Sequence, residues 1–279
     1  MFSDYGCPFP QSEFFWMPMK PTTLTILGTA DAVPEPGRDV ASFVVNDTHL
    51  VDTGWRATAR MLDHGLDPLD IKTIIMTHCH QDHYLGMPQF FFHWSQCWRP
   101  EMGIPSLTVY GPQDVVDVLD VTWKFLLAER YPQFTWRPEV QVIEDGETIE
   151  TDTFLLSACK TRHPVDGRCY TFLDHETGVK IGFTGDTAYH EPIAEHVLGC
   201  NLLLHDSTFP HDCPRERLDR DGHSTAVDAA KIARLADVQQ LLLMHYQLER
   251  HEESITHAEK IFPDVSYAVE GEIVEVTRE

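Results

Sequence analysis

Basic residues are scarce in this sequence. Its 21 lysines and arginines stand against 44 aspartates and glutamates, which gives a formal net charge of −23. A surface of this sign repels polyanions, because nucleic-acid affinity rests largely on Lys and Arg contacts to phosphate. We therefore expect no large RNA or DNA substrate. The charge argues less against a small phosphate ester, since bound dications dominate the field inside a site.

Long apolar runs and cysteine motifs are also missing. No apolar run reaches the roughly 18–20 residues of a membrane span, and the start of the chain, Met1 to Gly6, lacks the basic region and apolar core of a secretory signal. Seven cysteines are present, but no two are spaced C-x-x-C, so neither a disulfide framework nor a zinc knuckle is indicated. These features predict reduced thiols and a cytoplasmic protein without a membrane segment.

The remaining composition is that of an ordinary globular chain, with 42% hydrophobic and 23% charged residues in a length of 279. Residues 1–21 are rich in proline and aromatic residues without periodicity, and they predict an irregular arm. Residues 22–279 show regular strand and helix patterns without a linker-like break, so we assign them to one domain. Strands come early in each half and helices later, which indicates two similar β-rich layers with helices outside.

The most informative stretch is Thr77-His78-Cys79-His80-Gln81-Asp82-His83, which follows a β-branched apolar segment from Ile71 to Met76. That segment predicts a buried strand. The cluster then lies at a strand end, where a loop can direct several side chains to one point. Imidazole nitrogen and carboxylate oxygen are good ligands for zinc and similar divalent metals. The spacing predicts a metal site rather than a polar surface loop, with Cys79 packing away from it.

Further along the chain, polar residues end other apolar strands in the same way, and they are His163, Asp186 and His245. Taken alone, each would more often be a satisfied core group or a turn residue. The combined set contains seven ligands, enough for two metals, and consists of His78, His80, Asp82, His83, His163, Asp186 and His245.

On these residues the chain resembles the metallo-β-lactamase superfamily of dinuclear hydrolases, over about residues 22–279. The resemblance implies an αββα sandwich, an α+β fold of two mixed β-sheets with helices on the outer faces. Asp52 is expected to orient metal ligands by hydrogen bonds. The implied cofactors are two divalent ions, zinc with manganese or iron as alternatives. The implied ligands are His78, His80 and His163 for the first ion, Asp82, His83 and His245 for the second, and Asp186 as the bridge.

Two further segments resemble the ribonuclease Z and phosphodiesterase branch of this superfamily. Leu204-His205-Asp206-Ser207-Thr208 is similar to its His-Glu-Ala-Thr segment, with Asp206 in place of the usual Glu. Gly222-His223-Ser224-Thr225 is similar to its histidine motif before a helix. The resemblance implies that Asp206 orients His223, which donates a proton beside the scissile phosphate. The alternative is that His223 only helps to cap the helix that starts at Thr225. The predicted N-cap residue of that helix is Ser224.

The chain departs from ribonuclease Z at one point. In the usual bacterial form a long arm that grips tRNA lies between the segments corresponding to His163 and Asp186, where this sequence has room only for a hairpin. We therefore expect a small phosphodiester substrate, attacked by hydroxide generated at the metals, with Asp82 orienting or deprotonating the nucleophile. A tRNA 3′ endonuclease is the alternative.

Other functions stay open at this point. Within the superfamily they are a lactonase, a thioesterase or an arylsulfatase. Outside hydrolysis they are an iron-binding redox enzyme and a non-catalytic scaffold, which the complete ligand set disfavours. The aromatic stretch from Phe90 to Trp98 either walls the pocket or packs in the core. A homodimer is a further alternative, in which the arm from Phe9 to Met17 packs against the partner.

Overall fold

The structure, a computed structural model, describes residues 20–103, 106–134 and 136–278. Residues 1–19 of the predicted N-terminal arm lie outside these ranges. Within them, no helix combines the length and the apolar character that crossing a membrane requires. The six cysteines in these ranges carry free thiols, which agrees with the absence of a predicted disulfide framework.

In the described part of the chain, the strands form two mixed sheets of seven strands each. The first sheet contains β1 (Thr22–Gly28), β2 (Ser42–Val45), β3 (His49–Val51), β4 (Thr73–Ile75), β5 (Thr108–Gly111), β6 (Glu139–Val142) and β14 (Ile273–Val276). The second contains β7 (Thr148–Glu150), β8 (Phe154–Lys160), β9 (Arg168–Asp174), β10 (Lys180–Phe183), β11 (Leu202–Asp206), β12 (Gln240–Met244) and β13 (Val265–Tyr267). The strand orders are β14-β1-β2-β3-β4-β5-β6 and β13-β12-β11-β10-β9-β8-β7.

Helices cover the outer face of each sheet. They are α1 (Ala57–Asp63), α2 (Gln81–Tyr84), α3 (Met87–Cys97), α4 (Asp114–Phe125), α5 (Pro192–His196), α6 (Arg215–Asp221), α7 (Ala226–Leu235) and α8 (His251–Glu259). Apolar residues of α1, α3 and α4 pack on the first sheet, and those of α5, α7 and α8 pack on the second. A third core fills the space between the sheets. These layers confirm the αββα sandwich.

The core between the sheets is dominated by aromatic side chains. Phe154 and Phe172 stack with ring centroids 4.8 Å apart, and Phe43 meets Phe183 edge to face at 5.6 Å. All four are at least 95% buried. Because full burial of one such side chain contributes roughly 1.5–3 kcal/mol, this layer fixes the two sheets against each other.

Two local predictions were wrong. The helix after His223 is capped by Thr225 rather than Ser224, because the Thr225 hydroxyl accepts the Asp228 N–H while Asp228 accepts the Thr225 N–H. The Ser224 hydroxyl instead donates to the Thr187 carbonyl at 2.7 Å. The helical spacing of apolar residues such as Val115, Leu119 and Phe125 predicts one long helix from Pro112 to Arg130. The observed helix ends at Phe125, since Leu127 adopts a left-handed φ of 52° that no helix continues.

The aromatic stretch from Phe90 to Trp98 lies mostly on α3. Phe90, Phe91 and Trp94 are buried in the core on the outer face of the first sheet. Cys79 contributes to the same core, as predicted. Core packing is therefore the role of these three aromatic side chains.

The parallel strands of both sheets bring polar residues to one edge of the sandwich. In the first sheet β3, β4 and β5 run parallel, and in the second β10, β11 and β12 do. Their carboxyl ends therefore lie side by side. The polar residues at or just beyond those ends are Asp52, His78, Asp186, Asp206 and His245.

His49 in β3 offers a test of this packing. Its Nδ1 lies 2.8 Å from the Thr73 hydroxyl, and its ring packs against Phe154 and Phe172. Burial, and then the charge of Lys72, lower the pKa of His49 from 6.5 to about 4.

Below pH 6.5 the His49 imidazole is therefore protonated in the unfolded chain, whereas in the folded chain it stays neutral down to about pH 4. Stability is lost across this window as the pH falls. The free energy of unfolding is measured with urea at neutral pH and at pH 5. Between these two pH values it should fall by about 2 kcal/mol more for the wild type than for His49→Gln. His93→Gln, on α3, is the control and should follow the wild type. Equal losses in wild type and His49→Gln would show that His49 does not titrate in this way.

Candidate active site

One buried carboxylate holds the loop after β4 in place. Asp52 accepts hydrogen bonds from the Thr77 backbone N–H at 2.8 Å and from the Thr77 hydroxyl at 2.7 Å. Its Oδ2 also lies 2.8 Å from Nδ1 of His83, which places the His83 proton on Nδ1. The lone pair on Nε2 of His83 is then free to bind a cation. Asp52 thus fixes the loop backbone and one imidazole together.

A first group of side chains contains His78, His80, His163 and Asp186. Nδ1 of His80 lies 2.8 Å from Nε2 of His163, and Nε2 of His78 lies 3.5 Å from Oδ2 of Asp186. Nδ1 of His163 donates to the Gly222 carbonyl at 2.8 Å, so its Nε2 faces the group. Gly222 has a φ of 76°, and a Cβ there would come within 2.8 Å of Nδ1 of His163. This close approach therefore requires glycine.

A second group contains Asp82, His83, His245 and again Asp186. Nε2 of His83 lies 3.4 Å from an oxygen of each aspartate. Nε2 of His245 lies 3.4 Å from Asp82 and 3.6 Å from Asp186. Nδ1 of His245 lies 2.8 Å from the Thr208 hydroxyl, which directs its other nitrogen inward. The structure thus brings all seven predicted ligand residues together, with Asp186 common to both groups.

The chemistry of these residues fits divalent metals. Three of their buried atoms have no hydrogen-bond partner in the described ranges: Nε2 of His78, Nε2 of His83 and Oδ1 of Asp186. Each buried atom left unpaired costs about 1–3 kcal/mol, which a bound cation would offset. In each group the ligand atoms lie within 4.8 Å of one another. The division of the seven ligands between two ions stays a prediction.

The carboxylates of the cluster are held in their ionised form. Burial alone would raise the pKa of Asp186, but the charges of His245, His83 and His78 outweigh it and lower that pKa well below its usual range. Burial likewise opposes ionisation of Asp82, but the neighbouring imidazoles of His245 and His83 lower its pKa below the usual range. Both aspartates are therefore available as anionic ligands.

Asp206 and His223 form a hydrogen-bonded pair beside the cluster. Oδ2 of Asp206 lies 3.0 Å from Nδ1 of His223. The same carboxylate accepts the backbone N–H groups of Thr187 at 3.1 Å and Thr208 at 2.9 Å, and it is fully buried. Burial alone would lower the pKa of His223, but the charge of Asp206 and its hydrogen bond raise it to about 9. The geometry therefore gives His223 a partner that a simple helix cap would lack.

The His223 ring lies between the cluster and solvent. Its Nδ1 is 3.9 Å from Oδ2 of Asp186, its ring is parallel to that of His245 at 5.4 Å, and its side chain is 16% exposed. The position suits a group that exchanges a proton with a molecule bound at the cluster.

Thr208 is a positioning residue to which the sequence patterns assigned no role. Its hydroxyl donates to Asp206 at 2.7 Å and contacts Nδ1 of His245 at 2.8 Å, so it connects the Asp206–His223 pair to one of the predicted metal ligands. A signal was available, because an aspartate at a turn commonly accepts the backbone N–H two residues on, which here belongs to Thr208. Its contact with His245 depends on tertiary structure and is not visible in the sequence.

Asp52→Asn tests the role of the Asp52 carboxylate. Asparagine tolerates the φ of 51° at this position, but its amide group cannot accept all three hydrogen bonds. We expect about a 10–100-fold loss of metal affinity, measured by competition with a chromogenic chelator. Asp152→Ala, an exposed aspartate far from the cluster, is the control. Unchanged affinity in Asp52→Asn would contradict this role.

Comparisons with known proteins agree with this geometry. A sequence profile of the beta-lactamase superfamily domain matches residues 47–246. Ribonuclease Z of Picrophilus torridus is 26% identical over 292 residues, covering 86% of this chain and 91% of that protein. Ribonuclease Z of Metallosphaera sedula is 29% identical over 278 residues, covering 85% and 93%.

Solved structures show the same fold. The short form of human tRNase Z superposes with a TM-score of 0.73 at 21% identity, covering 92% of this chain and 100% of that chain. A diphosphatase from the PhnP family superposes with a TM-score of 0.70 at 20% identity, with the same coverage. The profile spans most of the chain, and the fold and the donor cluster agree with it. The chain belongs to the β-lactamase superfamily, has the metallo-β-lactamase fold, and is a metal-dependent hydrolase.

Proposed function

We propose that this hydrolase is a dinuclear phosphodiesterase that cleaves a small phosphodiester. The observation that carries the proposal is the Asp206–His223 pair, which lies at the solvent-facing side of the donor cluster. A cluster of metal ligands alone supports hydrolysis of many esters. A buried acid that orients a protonated imidazole adds a proton donor, which a phosphodiester with a poor alkoxide leaving group needs.

The ions would be held by the two groups of ligands, with Asp186 shared between them. When bound, such cations supply Lewis acidity, which stabilises charge on phosphoryl oxygens and makes water acidic enough to attack near neutral pH. Asp82 is the ligand best placed to act on the water as well. Its side chain is 12% exposed, more than the 2% of Asp186, so it faces the open side of the cluster. An ionised carboxylate there orients the attacking water and accepts its proton.

His223 acts on the other side of the reaction. Its Nδ1 is held by Asp206, so Nε2 carries the proton that reaches the leaving oxygen. Thr208 and the backbone N–H of Ser224 hold Asp206, which keeps the imidazole from rotating. Because Asp206 has no exposed surface, its charge is little screened by solvent and it stabilises the imidazolium form.

Two features support a small substrate. The segment between His163 and Asp186 folds as the β9–β10 hairpin, with antiparallel pairing from Tyr170 with Phe183 to Leu173 with Lys180. It therefore leaves no room for a long RNA-gripping arm at this position. The net charge of −23 also weakens binding of a large polyanion.

A second candidate is a ribonuclease Z-type endonuclease acting on tRNA 3′ ends. The observation in its favour is that the two archaeal relatives named Ribonuclease Z align over 85% or more of this chain. Their name gives RNA as the substrate. The choice between the candidates therefore depends on substrate size, since the same cluster and proton donor serve both.

Replacement of His223 by alanine tests the proton-donor assignment. A poor alkoxide leaving group needs the proton, so kcat should fall by about 10²–10⁴ on such a diester. p-Nitrophenolate leaves without protonation, so bis(p-nitrophenyl) phosphate should be hydrolysed at nearly the wild-type rate. His93→Ala is the control. Equal losses on both substrates would show that His223 does not donate a proton to the leaving group.

A substrate panel tests the proposed function itself. The metal-reconstituted chain is assayed on cyclic nucleotides, cyclic sugar phosphates, short oligonucleotides and a precursor tRNA, together with a lactone, a thioester and an aryl sulfate. We expect the highest kcat/KM on a small cyclic phosphodiester. A higher kcat/KM on precursor tRNA would establish the second candidate. Preference for the lactone, thioester or sulfate would exclude both.

A further inference from the structure

A separate cluster of metal-ligand side chains lies outside the candidate active site. His211 belongs to the loop after β11, and Glu253 and His257 belong to α8. One ligand atom from each lies within 4.8 Å of the other two. None of the three contributes to the seven-ligand set. The cluster is formed by long-range contact, since about forty residues separate the loop from the helix.

The geometry of the three side chains is compact. The imidazole rings of His211 and His257 are stacked, with centroids 4.0 Å apart and planes 11° apart. Nε2 of His211 lies 3.8 Å from Oε1 of Glu253. Glu253 and His257 are four residues apart on α8, so they project from the same face of the helix. Such a pair on a helix, with a third ligand from another segment, resembles the ligand arrangement of protein zinc sites.

His211 is the residue that points to a ligand. Its side chain is only 13% exposed, and its Nδ1 is buried without a hydrogen-bond partner in the described ranges. A buried polar nitrogen ordinarily has a partner. A cation bound at Nδ1 of His211 would supply the partner that this nitrogen lacks.

Neighbouring contacts hold the cluster together from outside. The Arg250 guanidinium binds the Asp212 carboxylate at 2.8 and 3.0 Å, and it reaches Oε2 of Glu253 at 3.0 Å. The His211 backbone N–H donates to the Ser254 hydroxyl at 3.2 Å. Oε1 of Glu253 stays directed toward His211. The loop and α8 are thus held together by bonds that leave the ligand atoms available.

We infer that His211, Glu253 and His257 bind a divalent transition-metal ion of the zinc type, separate from the catalytic metals. Imidazole with carboxylate suits Zn²⁺, and the same set accepts Ni²⁺ or Cu²⁺. Three protein ligands leave a fourth position for water, since Glu253 is 55% exposed. His211 follows Thr208 by three residues, so the ion would fasten α8 to the segment that carries Asp206 and Thr208.

Zinc content tests the inference on the full chain with its catalytic metals loaded. The chain is equilibrated with buffered micromolar free Zn²⁺, and bound zinc is measured by mass spectrometry. We expect His257→Ala to lose one equivalent of zinc per chain relative to wild type, with kcat/KM on a small diester retained. His175→Ala is the control, because His175 has a glutamate partner, Glu150 at 3.3 Å, but belongs to no group of three ligands among the described residues.

Two further measurements keep the inference falsifiable. Glu253→Gln removes only the carboxylate charge and should weaken zinc binding while circular dichroism stays that of wild type. Anomalous diffraction from zinc-soaked crystals should place a peak about 2.0–2.2 Å from both imidazoles and from Glu253. A wild type that binds no zinc beyond its catalytic ions would overturn the inference. So would a full zinc complement in His257→Ala. Either result leaves the proposed phosphodiesterase activity untouched.

Discussion

The carboxylate of Asp186 lies where the two sheets meet, surrounded by imidazoles from both. Its Oδ2 is 3.4–4.0 Å from ring nitrogens of His78, His83, His163, His223 and His245. Such a buried anion is stable only with positive charge around it. The aromatic core between the sheets holds the histidines near it, and the remaining contacts of the site orient their rings. Without that packing the donors would belong to separate loops of the two sheets.

Much of this arrangement can be predicted from the sequence. The cluster from His78 to His83 follows a strand whose apolar pattern is plain, and His163, Asp186 and His245 follow later strands. The sequence cannot give what depends on tertiary contact. The Thr208 hydroxyl bonds to His245 across 37 residues, and the Gly222 carbonyl to His163 across 59. The sequence also does not show which of two neighbouring hydroxyl residues caps a helix. The N-cap of α7 is Thr225 and not Ser224.

The predicted metal ligands and the proposed proton donor are oriented in the same way. Asp52 fixes the tautomer of His83, and Thr208 directs both His245 and Asp206. The inward-facing nitrogens of His83 and His245 are therefore set by a hydrogen bond on the opposite side of each ring. The acidic surface opposes large polyanions, whereas cations at the cluster would attract one phosphate group. Recognition would then rest on local charge inside the site rather than on the field of the whole protein.

The account depends most directly on two metal ions sharing Asp186. Anomalous diffraction from crystals of the metal-reconstituted chain measures this without reference to any substrate. The account predicts two peaks about 3.5–4 Å apart, one beside His78, His80 and His163, the other beside Asp82, His83 and His245, with Asp186 contacting both. A single peak, or two peaks of which only one contacts Asp186, would contradict it.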